Sequence, residues 1–190
     1  MKILLASASP RRRELIKLIT EDFTAVSTDC DETLPDDIAA ECRNTPELAA
    51  EYLSKIKAEC AAAQYNDCIV IGCDTIVIVD SKILGKPENA QQCREYLRML
   101  SGRSHKVTTG CTFICGSEKK SLTVTTEVFF RELSDDDIEW YISTGEPFDK
   151  AGGYGIQGKG ALLINSINGD YFNVVGLPVS TVYNEIKKYL

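Results

Sequence analysis

The spacing of apolar and polar positions changes repeatedly along the chain, and each change marks an element. The opening run Ile3-Leu4-Leu5 predicts a strand over 2–6. Leu15, Ile16 and Ile19 then fall at helical spacing, which predicts a helix over 10–19. Ser9 is a natural N-cap for it, and Pro10 sits first, where a missing N–H costs nothing. "FTAVST" (23–28) reads as a strand and "DCDETLPDD" (29–37) as an acidic loop. Residues 45–65 read as a long alanine-rich helix capped by Thr45 and opened by Pro46. "CIVIGCDTIVIVD" (68–80) is β-branched and nearly continuous, the pattern of a buried central strand. A short strand precedes the turn at "LGKP" (84–87), and 88–100 reads as a helix closed near Gly102. Residues 105–116 and 121–133 read as paired strands joined by a Gly-Ser-Glu turn. Ser134 caps a helix over 134–144, 160–168 is a further strand, and 177–190 a C-terminal helix.

This order predicts one α/β domain over 1–190, with a mixed, twisted sheet flanked by helices. The long antiparallel pair around residue 116 argues against a purely parallel Rossmann sheet. No repeat, low-complexity tract or linker interrupts it.

Charge sharpens the picture more than composition does. The chain has 190 residues, 44% hydrophobic and 26% charged, ordinary for a globular protein. Its formal net charge of -7 argues against a nucleic-acid binder, which needs a broad basic surface. Yet Arg11, Arg12 and Arg13 follow one another without a gap. A local basic cluster in an acidic chain points to a small, highly charged anion. No run approaches the ~20 apolar residues of a membrane span. No targeting segment is evident, so the cytoplasm is the expected location and no membrane partner is expected. Eight cysteines without a Cys-x-x-Cys pair, and a single His, give no zinc-ligand spacing.

Three arginines in a first helical turn oppose the helix dipole, and a bound polyanion offsets that cost. A tight loop at Ser7–Ser9 would turn the free N–H groups of residues 9–13 outward toward phosphate. Ser7 and Ser9 are placed either to donate hydroxyls to phosphate or simply to cap. Asp74 stands inside an apolar strand, where a carboxylate is expensive without a partner. It either pairs with a lysine, or binds a metal or activates a water. Lys86 lies in a turn, while Lys57 and Glu32 read as solvated by default. "GGYGIQGKG" (152–160) is either a mobile surface loop or a close-fitting loop in which Gln157 reads a base edge with its amide. It lacks the strand–helix setting of a dinucleotide loop, and no Gly-x-x-x-x-Gly-Lys-Ser/Thr occurs. Gathered by the fold, Arg11, Arg12, Arg13, Lys57 and Lys86 would hold a polyphosphate. Glu32 and Asp74 would hold a hard divalent cation. That is the design of a nucleotide hydrolase.

Seven segments in order, "LASASPRRRELI" (5–16), "KIKA" (55–58), "GCDTIV" (72–77), "LGKP" (84–87), "LSGRSHKVTTG" (100–110), "DKAGGYGIQGKG" (149–160) and "GDYFNVVGLP" (169–178), resemble the Maf family, the septum formation inhibitor-like nucleotide pyrophosphatases. The likeness runs over essentially the whole chain. It implies a fold related to the inosine triphosphate pyrophosphatases. It also implies cleavage of a nucleoside triphosphate to monophosphate and pyrophosphate, a house-cleaning reaction. One branch of the family, acting on dTTP and UTP, has Asp-Thr in the central strand and a "YGIQG" loop. A sibling acting on 7-methyl-GTP has Asp-Gln there and a different loop. Thr75 and Gln157 match the first branch. Carried over by motif, Asp74 is the proton acceptor and Arg11, Thr75 and Gln157 are the specificity positions. Arg12, Glu32, Lys57 and Lys86 complete the pocket, and Arg13 is the arginine that varies among relatives. A divalent cation (Mg²⁺, Mn²⁺ or Co²⁺) is the implied cofactor, and a homodimer is compatible with the family. The alternatives are the 7-methyl-GTP activity and a non-enzymatic nucleotide sensor regulating division or septation. An intact Asp74 counts against the sensor.

Overall fold

Strand β3 (Cys68–Val79) is the spine of the molecule, apolar and almost wholly buried. The computed structural model describes residues 1–190. Seven strands form one sheet: β1 (Lys2–Ala6), β2 (Phe23–Val26), β3, β4 (Lys82–Leu84), β5 (Ser104–Cys115), β6 (Glu118–Phe130) and β7 (Ile164–Asn168). The order across the sheet is β2-β1-β3-β5-β6-β7. β1 runs parallel to both β2 and β3, and β3, β5, β6 and β7 are successively antiparallel. The sheet is therefore mixed, as the antiparallel pair demands.

Two strands share one edge of β3. β1 pairs with it only as far as Ala6 opposite Gly72, and the antiparallel β4 reaches only as far as its last residue, Leu84, opposite Val77. Residues 73–76 thus have no strand beside them on that edge. The sheet splits there, and both of its faces open into one gap.

Helix α3 (Glu47–Ala62) lies across β3 and β5 on one face, with α2 (Asp36–Cys42) beside it. Its contact surface is made of Ala49, Ala50, Ser54, Ala58 and Ala61. Small side chains suit it because the helix lies unusually close. A Cβ on Gly72 would meet the Ser54 carbonyl oxygen at 2.2 Å, and one on Gly110 would meet that of Ala50 at 2.1 Å. The other face carries α1 (Pro10–Ile16), α6 (Tyr171–Val175) and α7 (Val179–Ile186) toward one end. α4 (Ala90–Leu100) and α5 (Asp135–Ser143) cover the other end, around Val77, Val107 and Phe130. Apolar burial on both faces supplies the main drive to fold, at ~25 cal/mol per Å².

Several boundaries differ from the sequence reading. The first helix stops at Ile16 rather than residue 19. α3 starts at Glu47 and takes no side-chain cap from Thr45, since Pro46 is its N-cap residue. α2 and α6 are helices where no helix was expected. β6 begins at Glu118, because the two-residue turn Gly116-Ser117 lets Glu118 pair with Cys115 at once. It ends at Phe130. Residues 158–163 form a 3-10 segment, so β7 starts only at Ile164. The helix after Ser134 forms as expected, with a reciprocal capping box to Asp137.

His105 on β5 is 4% exposed. Its ring packs edge-on to Phe130 and Tyr154, and Nε2 lies 2.6 Å from the Tyr154 hydroxyl. Nδ1 has no partner. Burial, helped by the nearby Arg103 charge, pushes this histidine down to about 4. It is therefore neutral in the folded chain, whereas in the unfolded chain it charges near pH 6.5. The unfolded state then binds the extra proton between those values, so stability falls as pH drops through that window. Urea unfolding should lose up to ~3 kcal/mol between pH 7 and 4, at 1.36 kcal/mol per pKa unit. Most of the loss should come above pH 4.5, before carboxylates protonate. His105→Gln should flatten this slope; a slope unchanged in that variant would place the sensitivity elsewhere.

Candidate active site

The gap at residues 73–76 is the floor of a cleft of about 640 Å³. Asp74 and Thr75 are successive residues, so they project to opposite faces of β3. Because the edge is open, both reach the cleft. Asp74 is on the α3 face, directly opposite Gly110. The close approach of α3 brings Lys57 over it. Lys57 Nζ lies 2.5 Å from Asp74 Oδ1 and 3.1 Å from Glu32 Oε2. The Lys57 and Asp74 side chains are 13% and 15% exposed. Burial pushes the Lys57 ammonium down, the carboxylates of Asp74 and Glu32 push it up, and the net is a lysine above its ordinary value. Lys57 is thus a largely covered, charged bridge, not the solvated lysine its helical setting suggests. Glu32 is half-exposed but tied into the same group.

The Thr75 face meets α1 and the turn after α6. Arg12 Nε donates to the Gly176 carbonyl at 2.7 Å. Nη1 donates to Ser7 Oγ at 3.2 Å and Nη2 to Thr75 Oγ1 at 2.9 Å. Three of its five N–H groups are therefore fixed by the protein, and two remain. Arg11 Nη1 donates to Asp149 Oδ2 at 3.0 Å. The second Asp149 oxygen accepts from Lys150 Nζ at 2.5 Å. Burial raises the Asp149 carboxyl, but Lys150 and Arg11 together hold it below its ordinary value. Arg13 is exposed and does not line the cleft. Successive residues of a helix are about 100° apart around its axis, so three consecutive arginines cannot all face one site.

The backbone around the arginines departs from expectation. Ser9 N donates to Ser7 Oγ, Arg12 N to Ser9 Oγ and Arg13 N to the Ser9 carbonyl. Pro10 has no N–H. Among residues 9–13 only the Arg11 N–H is left, so these amides form no array toward a ligand, and most of the local positive charge comes from side chains. Ser7 and Ser9 both border the cleft while serving as internal acceptors.

The glycine-rich segment is packed rather than loose. Gly152 has φ +69° and its N–H donates to the Gly85 carbonyl at 2.9 Å. A Cβ there would meet Val77 Cγ1 at 2.9 Å. Tyr141 accepts from Gly155 N, and Tyr154 is buried beside His105. This anchoring leaves Gln157 exposed at the rim of the cleft, its amide making no hydrogen bond within the chain. Lys86 also lines the cleft, is exposed, and forms no ion pair.

The family model for Maf-like protein matches residues 2–189. The chain belongs to the Maf-like proteins. A protein of Syntrophus aciditrophicus named dTTP/UTP pyrophosphatase is 44% identical over 98% of this chain and 89% of its own. Proteins of the same name from Clostridioides difficile and Bacillus cereus are 44% and 42% identical, over 100% and 99% of this chain and 95% of their own. The Ham1 protein of Staphylococcus aureus gives a TM-score of 0.49 at 17% identity, covering 68% of this chain and 72% of its own, too slight a likeness to add to the fold.

Of the residues singled out in this Maf-like sequence, the fold brings Ser7, Ser9, Arg11, Arg12, Glu32, Lys57, Asp74, Thr75, Lys86 and Gln157 to one cleft. Arg13 alone is left out. Five contributors were not singled out for the site. Asp149 and Lys150 stand in the sequence only as two charges ahead of the glycines in "DKAGGYGIQGKG" (149–160). Thr109, Asn173 and the Gly176 carbonyl anchor the arginine side. The signals in the sequence are polar threonine in the otherwise buried run "VTTGCTF" for Thr109, and the segment "GDYFNVVGLP" (169–178) for Asn173 and Gly176. No three His, Cys, Asp or Glu side chains converge anywhere in the chain.

Gly110 tests the geometry that joins Lys57 to Asp74. Gly110→Ala forces a methyl against a helix carbonyl, which no rotamer change relieves. The variant should lose ~1–3 kcal/mol of stability, the range for overpacking. Gly85→Ala, with nothing within 4 Å of the new methyl, should leave the melting temperature unchanged. An unchanged melting temperature for Gly110→Ala would show that α3 is not held so close.

Proposed function

We propose that this chain hydrolyses dTTP and UTP between the α and β phosphates, releasing the monophosphate and pyrophosphate. One observation carries the reading. Cations and carboxylates from six separate segments of a Maf-like chain converge on a single cleft. The names of the relatives, at 42–44% identity, supply the substrate class.

The chemistry needs charge neutralisation, a positioned water and a leaving pyrophosphate. Arg11, Arg12 and Lys86 grip the phosphate oxygens, with arginine suited to bidentate contact. Asp74 has one oxygen on Lys57, and its other oxygen takes no hydrogen bond from the protein. That oxygen receives the proton of the attacking water. Water oxygen bonds to the α phosphorus, and the α–β bridging oxygen leaves with pyrophosphate. Lys57 stays protonated and fixes the Asp74 carboxylate in place.

A divalent cation fits this donor set. Glu32 and Asp74 already converge on one positive group, the Lys57 ammonium, at 3.1 and 2.5 Å. Two carboxylates with the remaining ligands from phosphate and water match the habit of Mg²⁺ rather than a dedicated protein cage. Glu32 and Asp74 would hold it; when bound, such an ion neutralises phosphate charge and polarises a phosphoryl oxygen.

Gln157 contributes to base choice through its amide N–H groups, which can donate to a carbonyl oxygen of uracil or thymine. A site built on hydrogen bonds rejects a base that leaves its groups unpaired.

The decisive measurement is a panel of dTTP, UTP, CTP, ATP, GTP and 7-methyl-GTP, with products resolved by phosphorus NMR. Monophosphate plus pyrophosphate is expected, with dTTP and UTP the best substrates. Diphosphate plus orthophosphate, or a preference for 7-methyl-GTP, would defeat the assignment. Asp74→Asn keeps the shape and removes the charge. It should lower kcat by ~10²–10⁴-fold, the usual worth of a general base, while the protein stays folded by circular dichroism. Near-normal turnover would take Asp74 out of the chemistry.

A further inference from the structure

Thr75 and Thr109 stand directly opposite each other across β3 and β5. Their hydroxyl oxygens are 2.9 Å apart. A threonine hydroxyl has one hydrogen to give and two lone pairs to receive with. Thr109 Oγ1 is 3.0 Å from the Asn173 carbonyl, which can only accept. Thr109 therefore places its hydrogen on Asn173, and in the contact with Thr75 it is the acceptor. The Thr75 hydrogen is then committed to Thr109. The reverse arrangement leaves the Thr109–Asn173 contact without a hydrogen and turns the Thr75 hydrogen out of the protein. The chain of bonds is completed by Arg12 Nη2, which donates to Thr75 Oγ1 at 2.9 Å.

What remains on Thr75 is one lone pair. Thr109 is wholly buried, whereas Thr75 borders the cleft. Thr75 thus presents an acceptor and nothing else to a ligand. Triphosphate oxygens are acceptors too and have nothing to offer it. The donors on a pyrimidine nucleotide are its sugar hydroxyls and base N–H groups. The 2′-hydroxyl is missing from dTTP, so a contact common to dTTP and UTP that also tells bases apart is the ring N–H.

We propose that Thr109 is a positioning residue that sets base specificity through Thr75. By accepting the Thr75 hydrogen, it makes Thr75 a pure acceptor, which favours the protonated ring nitrogen of uracil and thymine over the bare ring nitrogen of cytosine. The inference rests on the pyrimidine triphosphate reading given above and adds to it a residue that touches no substrate.

Thr109→Val keeps the side-chain shape and removes the acceptor, so the Thr75 hydrogen turns toward the cleft and can serve cytosine. The ratio of kcat/KM for UTP over CTP should fall about tenfold, the worth of one neutral hydrogen bond. Thr109→Ser restores the hydroxyl and should restore the ratio. In a Thr75→Val background, where no hydroxyl remains, Thr109→Val should leave the ratio unmoved. Thr109→Ala removes the hydroxyl without setting a methyl against Asn173, and gives the same reading if the valine variant does not fold. Equal losses for UTP and CTP, with an unchanged ratio in the valine or alanine variant, would overturn the inference and leave the pyrophosphatase reading standing. A wild-type protein inert toward UTP and dTTP would overturn both.

Discussion

The close seating of α3 on the sheet is the constraint on which the rest depends. Gly72 and Gly110 leave no side chain between helix and strands, and the Ser54 and Ala50 carbonyls occupy the space. Both glycines share a face with Asp74, since Gly72 lies two residues before it and Gly110 directly opposite. The same approach that packs Ala50, Ala58 and Ser54 therefore brings Lys57 down onto Asp74. A helix held further out by ordinary side chains would leave that carboxylate buried without a counter-charge. An unpaired buried charge costs several kcal/mol, more than any one core contact returns. Packing and charge thus impose one condition, and each is met only with the other.

The split sheet edge turns that pair into a site. Were β1 two residues longer and β4 extended two residues past Leu84, backbone pairing would close residues 73–76 off. As built, Asp74 works from one face with α3, and Thr75 from the other with α1 and the turn after α6. The two faces carry different kinds of contact. Lys57, Asp74 and Glu32 form an ionic group. Arg12, Thr75, Thr109 and the carbonyls of Asn173 and Gly176 form a relay with a single charge, in which neutral oxygens orient the guanidinium. Nucleotide recognition needs both, one for phosphorus chemistry and one for orientation.

Most of this is legible in the sequence where the period is strong. β3 announces itself by a near-continuous apolar run, and Asp74 by interrupting it. α2 and α6 are short, seven and five residues, and too brief for a helical period to emerge. α2 is also disguised by acidic residues that suit both a loop and a helix N-terminus. The start of β6 is hidden because Glu118, Lys119 and Lys120 are all exposed, leaving no alternation. Arg11 and Arg12 are readable as site residues, whereas Arg13 is not separable from them without the helix phase. Lys57 reads as solvated because helical spacing says nothing of a carboxylate on a strand 17 residues further along. Thr109 is out of reach for the same reason: its meaning lies in cross-strand register, which no local pattern carries.

Magnitudes decide which contacts a triphosphate can displace. Nearly every cation in the cleft already has a partner: Lys57 has Asp74 and Glu32, Arg11 has Asp149, and Lys150 has Asp149 and the Glu146 carbonyl. The Asp149 side chain is 63% exposed, and an exposed pair is worth at most ~1 kcal/mol. Phosphate, with more charge and more oxygens, wins Arg11 from it at little cost. The Lys57–Asp74 pair is different, because breaking a buried pair leaves a desolvated charge behind. An incoming polyanion therefore exchanges with Asp149 at the rim and leaves the inner pair intact. Asp149 holds Arg11 over the cleft until substrate arrives, and Asp74 keeps its orientation when it does.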